Sequence, residues 1–440
     1  MTSTAATPTQ RHSSVYWLKN SRHWLKNSRL LLWLAFVCVH LFITILNLTL
    51  PGFPIGDITG AYQFWNMQYN VAHTLYGLSV AWVYPYLAFV PMRLSGIFGE
   101  ANYSYTWFGL VMVLNALAMG AIIGRARAAH SSLVIGWWWL AFLLSLGAIS
   151  LGRLDTISVP IAIVAVLMVS TRPATAAVLL TIATWIKVWP AALVLALVIV
   201  LRTRVRIALA SATTNAAIIL LGIVVGGGSQ IFSFITEQTS RAMQIEAPVS
   251  TIWMWLAALH TPGSEIYYNK IIYTYEVTGP GAATMASAMT PILVSVMGFL
   301  VVMAARAAHA GAPALRLLGP TTLAFVTAFI AFNKVGSPQY MTWIAVPIVL
   351  GLVISHSGAG DSFRVPAIVA LGVGALTQVM YPVLYGYVAG AYAPMLMAMT
   401  LRNVLIFVLL GWAIMRIIQI GRAATGGQEF AAIGVRTPPV

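Results

Sequence analysis

A lone aspartate, Asp57, stands just beyond the first long apolar run of the sequence, with Tyr62 and Trp65 shortly after it. The preceding helix is predicted to end at 51–54, Pro-Gly-Phe-Pro, because proline lacks the backbone donor that a helix needs. The carboxylate is then presented at the membrane surface, where a lipid head group would arrive. It could act as a general base, although an aspartate after a helix is often only a cap or part of a solvated turn.

Arg153 and Asp155 lie in a turn between two further apolar runs, in Leu-Gly-Arg-Leu-Asp-Thr at 151–156. Either these residues bind a ligand, or they form a salt-bridged turn in which Asp155 or Thr156 caps the next helix. The spacing leaves both interpretations open.

Two lysines stand next to predicted helix breaks. Lys187 comes shortly before Pro190, and Lys334 comes shortly before Pro338. An ammonium group near the membrane is costly unless it snorkels to the interface or binds an anion such as a phosphate. A helix that begins at Pro338 would add free N–H groups to such an anion site. The two similar settings favour a two-lysine phosphate clamp, although a simple helix-capping turn would need no function.

Weaker candidates accompany these motifs. Gln339 and Tyr340 follow the second lysine and offer hydrogen-bonding and stacking groups that suit a sugar. Other polar residues of the long loops are more typical of a surface than of a site: His73, Glu237, Arg241, Gln244, Glu246 and His260. The sequence contains no Cys/His spacing typical of a metal site, and no GK[ST] follows the glycines at 226–228, so we expect neither a metal nor a nucleotide.

The composition decides what kind of element must position these residues. Of the 440 residues 60% are hydrophobic and only 8% are charged, and the mean hydropathy is +0.87. A soluble domain carries about 25% charged residues, so these values predict a membrane protein with one polytopic domain. The single cysteine, Cys38, allows no intramolecular disulfide. The net charge of +15 comes from short basic clusters between apolar runs, which mark cytoplasmic loops rather than a nucleic-acid surface.

Hydropathy predicts a bundle of about twelve transmembrane helices. The stretch around Lys187 is either one Pro-kinked helix or two short helices, and we favour two. The predicted segments are 30–50, 104–124, 132–151, 157–171, 174–187, 189–201, 207–226, 284–305, 317–332, 338–355, 365–386 and 398–419.

The positions of the basic residues predict the topology. We predict that the basic amphipathic tail at 1–29 and the C-terminal tail at 421–440 are both cytoplasmic. In this arrangement 17 of the 24 Lys and Arg residues lie on the cytoplasmic side. The long segments 51–103 and 227–283 are then extracytoplasmic, and we expect short interfacial helices in both. The seven outer acids and seven outer bases indicate a polar cavity that opens outward.

Taken together, these motifs resemble the polyprenol-phosphate-mannose-dependent mannosyltransferases of the GT-C superfold, the actinobacterial group that acts on phosphatidylinositol mannosides and lipomannan. The resemblance rests on Asp57, on Tyr84-Pro85, on the Gly152–Asp155 turn, on Ile-Lys-Val-Trp-Pro at 186–190 and on Lys-Val-Gly-Ser-Pro-Gln-Tyr at 334–340. The resemblance extends over residues 30–420, and the motifs occur there in the same order as in the family. Relatives often have Tyr-Pro-Pro and Gly-Gln where this chain has Tyr-Pro-Tyr and Gly-Arg, which leaves the acceptor open.

The resemblance implies an inverting transfer of mannose from a polyprenyl phosphate to a glycolipid or lipoglycan, on the extracytoplasmic face of the plasma membrane. It implies a GT-C-like fold, an Asp57 base, no metal or other cofactor, and no nucleic-acid partner. Two groups of residues receive expected roles: Lys187, Lys334 and Arg153 hold the donor phosphate, and Tyr62, Trp65, Asp155, Gln339, Tyr340 and His260 contact substrate.

Three alternatives remain open at this point. Sugar identity depends on pocket details, so a polyprenol-phosphate arabinosyltransferase is possible. A transporter or flippase would also have broken helices, but it usually shows internal repeats and midplane charges. A membrane anchoring protein would explain the spans but not the acids and lysines at the outer turns.

Overall fold

A computed structural model of the chain describes residues 28–125, 129–239, 241–270 and 272–432. The predicted amphipathic tail therefore lies outside the described residues, apart from its last two positions. Within the described part, eight helices are long and apolar enough to cross a membrane. The protein is thus helical and membrane-embedded, as its composition predicts.

The helices follow one another with few long irregular segments. Their bounds are α1 Arg29–Thr49, α2 Gln63–Ala72, α3 Phe89–Ser95, α4 Tyr103–Arg125, α5 Ala129–Leu146, α6 Asp155–Met168, α7 Pro173–Ile186, α8 Ala191–Val200, α9 Arg204–Val224, α10 Ser233–Thr239, α11 Thr251–Ala258, α12 Ala282–His309, α13 Ala314–Ala331, α14 Ala345–His356, α15 Arg364–Met380, α16 Tyr385–Ala389 and α17 Ala393–Ala432. A π-helical turn covers Asp57–Tyr62, and a 3₁₀ turn over Pro338–Ile344 leads into α14.

Each of the twelve predicted apolar segments contains a helix, most with ends that shift by a few residues. Two differ more: the helix of segment 365–386 already ends at Met380, and the helix of segment 398–419 continues to Ala432. The prediction of two helices around Lys187 is confirmed, because α7 ends at Ile186 and α8 begins at Ala191. Lys187 itself is extended and breaks the helical path, and Pro190 stands directly before the first residue of α8.

The two long loop segments contain the short helices α2, α3, α10 and α11, as predicted. They also contain an antiparallel hairpin of β1 Glu265–Asn269 and β2 Thr274–Thr278, in which Glu265 pairs with Thr278. The all-α prediction is therefore correct for the bundle and wrong for this hairpin. Its aromatic and β-branched residues favour strands, a signal that the hydropathy pattern hides.

The centre of the bundle is formed by α13, which packs against α8, α12, α14 and α17. Nearly all of its side chains are buried, whereas α12 exposes large apolar residues such as Val294 and Phe299. Apolar surface of this extent is stable against lipid rather than water. The polar residues described next are held at one end of this bundle.

Candidate active site

Three short helices begin or end where the candidate residues gather. α6, α7 and α8 have 14, 14 and 10 residues, so at 1.5 Å per residue they are only about 21, 21 and 15 Å long. α9 packs beside α7 and α8 and has 21 residues, about 31 Å. The start of α6, the end of α7 and the start of α8 lie close together, because Lys187 directly after α7 pairs with Asp155 at the start of α6.

Asp57 is paired with Arg153, which stands two residues before the start of α6. The Arg153 Nε atom is 3.1 Å from Asp57 Oδ2, and the Asp57 side chain remains 39% exposed. Arg153 is buried and also donates to the Pro54 carbonyl oxygen at 2.7 Å and to the Tyr381 hydroxyl. Its guanidinium is thus occupied in orienting Asp57, which differs from its expected role at the donor phosphate.

Asp155 is fully buried and serves as the counter-ion of Lys187. Lys187 Nζ is 3.4 Å from Asp155 Oδ2, and Trp343 Nε1 donates to Asp155 Oδ1 at 2.7 Å. The Asp155 carboxylate is 0% exposed and is not among the residues that line the cavity, so its expected contact with substrate stays a prediction. Its position instead explains how a lysine is kept charged beneath the surface of the protein.

Both predicted clamp lysines line a single cavity of about 250 Å³. The ammonium group of Lys187 lies 4.6 Å from the centre of the Tyr84 ring and 5.7 Å from that of Tyr340. Tyr340 stacks on Trp343 at 4.2 Å between ring centres. The wall has no Asp or Glu among its described residues, which are Val83, Tyr84, Pro85, Lys187, Val188, Trp189, Phe234, Ile235, Gln238, Thr290, Phe329, Asn333, Lys334, Val335, Tyr340 and Trp343.

The turn that carries Lys334 is held tightly in place. The Gln244 backbone N–H donates to the Lys334 carbonyl oxygen at 3.0 Å. A side chain at Gly336 would come within 2.0 Å of the Ala247 nitrogen, so only glycine allows this approach. Gln339 is buried and accepts a hydrogen bond from Ser337, which indicates that it shapes the turn rather than reaching a ligand.

The two aromatic residues after Asp57, Tyr62 and Trp65, pack beside the carboxylate and are not among the residues that line the cavity. Tyr62 is buried; its hydroxyl lies 3.5 Å from Asp57 Oδ2 and accepts a hydrogen bond from the Leu154 N–H at 3.1 Å. Trp65 is half-buried and packs on Tyr62 and Tyr84. His260 is exposed after α11 and is not among the residues that line the cavity.

Tyr84 connects the two parts of the site. Burial raises the pKa of its hydroxyl; the carboxylates of Asp57 and Asp155 also raise this pKa, whereas the cations of Lys187 and Arg241 lower it. Tyr84 therefore keeps its proton at neutral pH and can donate a hydrogen bond into the cavity. The Trp65 ring packs on Tyr84 and also on Tyr62, whose hydroxyl lies 3.5 Å from Asp57 Oδ2, so aromatic contacts connect Asp57 to the cavity wall.

Sequence reasoning missed a buried ion pair behind this site. Glu246, which we expected at the surface, accepts from Arg402 Nη1 at 3.0 Å, and Arg402 Nη2 donates to the Glu246 carbonyl oxygen at 2.9 Å. Burial raises the pKa of Glu246 even though the Arg402 guanidinium favours its charged form. The pair fixes the segment on which the Lys334 turn packs. The two residues are far apart in the chain, so no local pattern could reveal it.

Among the described residues, no three His, Cys, Asp or Glu side chains come together as a metal site would require. No protein-family model matches the sequence, and no curated protein or solved structure matches it either. The class defined by fold and site is a helical membrane protein with a cavity lined by two lysines and with a partly exposed carboxylate connected to its wall.

Proposed function

We propose that the protein is a membrane glycosyltransferase that moves a mannosyl residue from a polyprenyl-phosphate donor to a glycolipid or lipoglycan acceptor. One observation carries the proposal: Lys187 and Lys334 line the same cavity. The partly exposed Asp57 is connected to the wall of this cavity by the aromatic contacts described above. The resemblance of the motifs that carry these residues to those of the GT-C mannosyltransferases supports the proposal as well.

The cavity suits the phosphate of the donor. Two ammonium groups and the Tyr84 hydroxyl offer donors to phosphate oxygens, and hydrogen bonds between charged partners are the strong ones. The lining described above contains no carboxylate that would repel the anion. Apolar side chains such as Phe234 and Ile235 extend the wall and would contact the prenyl chain.

Asp57 is the better of the two carboxylates for the base. It is exposed enough to meet an acceptor hydroxyl, whereas Asp155 is sealed against Lys187 and Trp343. In the proposed step Asp57 takes the hydroxyl proton as the acceptor oxygen bonds to the anomeric carbon. The bond from that carbon to the phosphate oxygen breaks at the same time, and polyprenyl phosphate leaves with the electron pair. The attack from the opposite face inverts the anomeric configuration.

Lys187→Gln and Lys334→Gln are each expected to weaken donor binding by about 1 to 3 kcal/mol, the worth of a charged hydrogen bond. Donor affinity is measured with purified protein and labelled polyprenyl-phosphate mannose. Lys270→Gln is the matched control, because Lys270 is exposed in the hairpin turn and lies outside the cavity. Wild-type donor affinity in both cavity variants would refute the clamp.

The proposed membrane arrangement has all twelve apolar helices crossing, with both termini cytoplasmic and the lysine-lined cavity at the extracytoplasmic side. The four shorter helices can cross only if their site ends lie below the outer surface, since about 20 residues span the hydrocarbon core. This depth would let a lipid-linked phosphate enter from the side.

Cysteine labelling tests this topology. In a Cys38→Ser background, Gly60→Cys is expected to react with a membrane-impermeant maleimide from the extracytoplasmic side, and Ser362→Cys only from the cytoplasmic side. Both positions are exposed in the structure. Labelling of position 60 only from the cytoplasm would overturn the arrangement.

A donor panel tests the function itself. Purified protein is incubated with radiolabelled polyprenyl-phosphate mannose, polyprenyl-phosphate arabinose or GDP-mannose, each with a set of glycolipid acceptors. We expect labelled glycolipid from polyprenyl-phosphate mannose and none from the nucleotide sugar. If only polyprenyl-phosphate arabinose labelled the glycolipid, the proposed donor would be wrong and arabinose would be the transferred sugar. Labelling from GDP-mannose would refute the proposal that the cavity binds a lipid-linked phosphate.

A further inference from the structure

A second, larger cavity lies at the opposite end of α8 from the candidate active site. Its volume is about 1190 Å³. Its wall combines the last turn of α8, the residues that lead into α9, the end of α12 and Thr425 of α17. The two cavities are therefore separated by the length of α8, about 15 Å. We call this second cavity the basic groove.

The basic groove gathers positive charge from distant parts of the chain. Arg202 comes from the turn before α9 and Arg204 is the first residue of α9, whereas Arg306 and His309 come from the end of α12, about one hundred residues later. Its described wall contains no Asp or Glu, and none of these three arginines takes part in an ion pair with another described residue. A concentration of cations in a concave site is an anion-binding arrangement.

The remaining wall of the groove is apolar. Val198, Ile199 and Val302 lie beside the cationic residues. The outer faces of α9 and α12 next to it expose further apolar side chains, among them Val205 and Leu209. A free phosphate or a nucleotide would gain nothing from these surfaces, whereas an amphiphile would bury its acyl chains there.

We propose that the basic groove binds the phosphate head group of an anionic phospholipid, with the first part of its acyl chains against the apolar wall. Basic pockets at the ends of transmembrane helices are a recurring setting for such head groups. The bound lipid would join the α8–α9 turn to the end of α12 and so stabilise the helix whose other end carries the lysine cavity. The proposal does not depend on the glycosyltransferase activity.

Thermal unfolding of the full-length protein in detergent tests it. Added phosphatidylglycerol is expected to raise the unfolding temperature in a saturable way, because a ligand that binds only the folded state stabilises it. Phosphatidylcholine and inorganic phosphate are expected to have little effect. Equal stabilisation by phosphatidylcholine would show that lipid charge is not recognised, and equal stabilisation by inorganic phosphate would show a free-anion site; either result overturns the proposal.

Variants locate the binding site. Arg204→Gln and Arg306→Gln are each expected to raise the half-saturating phosphatidylglycerol concentration about 5-fold, and the double variant about 30-fold. Arg172→Gln with Arg364→Gln removes the same charge outside the groove and is expected to leave the concentration unchanged. The single variants keep the test decisive if the double variant does not fold. Unchanged lipid dependence in both single variants, or an equal shift in the control, would overturn the proposal.

Discussion

Asp57→Asn is expected to lower turnover at least about a hundredfold while the protein folds and still binds donor. The amide keeps the size of the side chain but cannot accept the proton of the acceptor hydroxyl, and a general base typically contributes a factor of this size or more. Arg153 would keep its bonds to Pro54 and Tyr381, so the turn that holds the site should survive. The measurement is single-turnover transfer of labelled mannose, with donor affinity determined on the same samples.

Glu265→Gln is the matched control for this variant. Glu265 is an exposed acid of the hairpin, and its loss should leave turnover unchanged. Near-normal turnover in Asp57→Asn would refute the proposal that Asp57 is the general base. If Asp155→Asn alone abolished turnover without loss of stability, the roles of the two aspartates would have to be exchanged.

Asp155→Asn is expected to destabilise the protein by about 3 to 5 kcal/mol, because it leaves the Lys187 ammonium buried without its counter-ion. Apparent unfolding temperature in detergent reports the loss. The double variant Asp155→Asn with Lys187→Gln removes both charges and should recover part of the stability, which a mere packing defect at Asp155 would not predict.

The surface pair of Arg316 and Asp361 provides the comparison. The Arg316 side chain is 44% exposed, so Asp361→Asn should cost at most about 1 kcal/mol. A loss of stability in Asp155→Asn no larger than in Asp361→Asn would contradict the assignment of Asp155 as a buried counter-ion. The assignment would also be contradicted if the double variant, Asp155→Asn with Lys187→Gln, were less stable than Asp155→Asn alone.

The helices of this protein could be predicted because a membrane satisfies backbone groups only within regular structure. Hydropathy therefore located the apolar segments, and proline chemistry located the break after Lys187. The two lysines could be placed in one cavity only as a hypothesis, since nothing local in the sequence relates residue 187 to residue 334. The structure brings them to the same wall.

The pairing of the site residues could not be predicted. Arg153 meets Asp57, and Asp155 meets Lys187, although Arg153 and Asp155 are neighbours in one turn. Which acid pairs with which base depends on how α6 packs against α7. The spacing of the residues in the sequence does not encode this packing. In the structure Arg153 orients Asp57 and Asp155 holds Lys187. The expected roles of Arg153 at the donor phosphate, of Asp155 at the substrate and of Asp57 as the base stay predictions.

The central claim, that this membrane protein transfers a sugar from a lipid phosphate, is tested most directly by the stoichiometry of its products. Purified wild-type protein in sealed proteoliposomes is given polyprenyl-phosphate mannose labelled in the sugar, together with glycolipid acceptor. We predict that one polyprenyl phosphate is released for each labelled glycolipid formed, and that neither product forms with Asp57→Asn. Movement of intact donor across the membrane without formation of either product would contradict the claim.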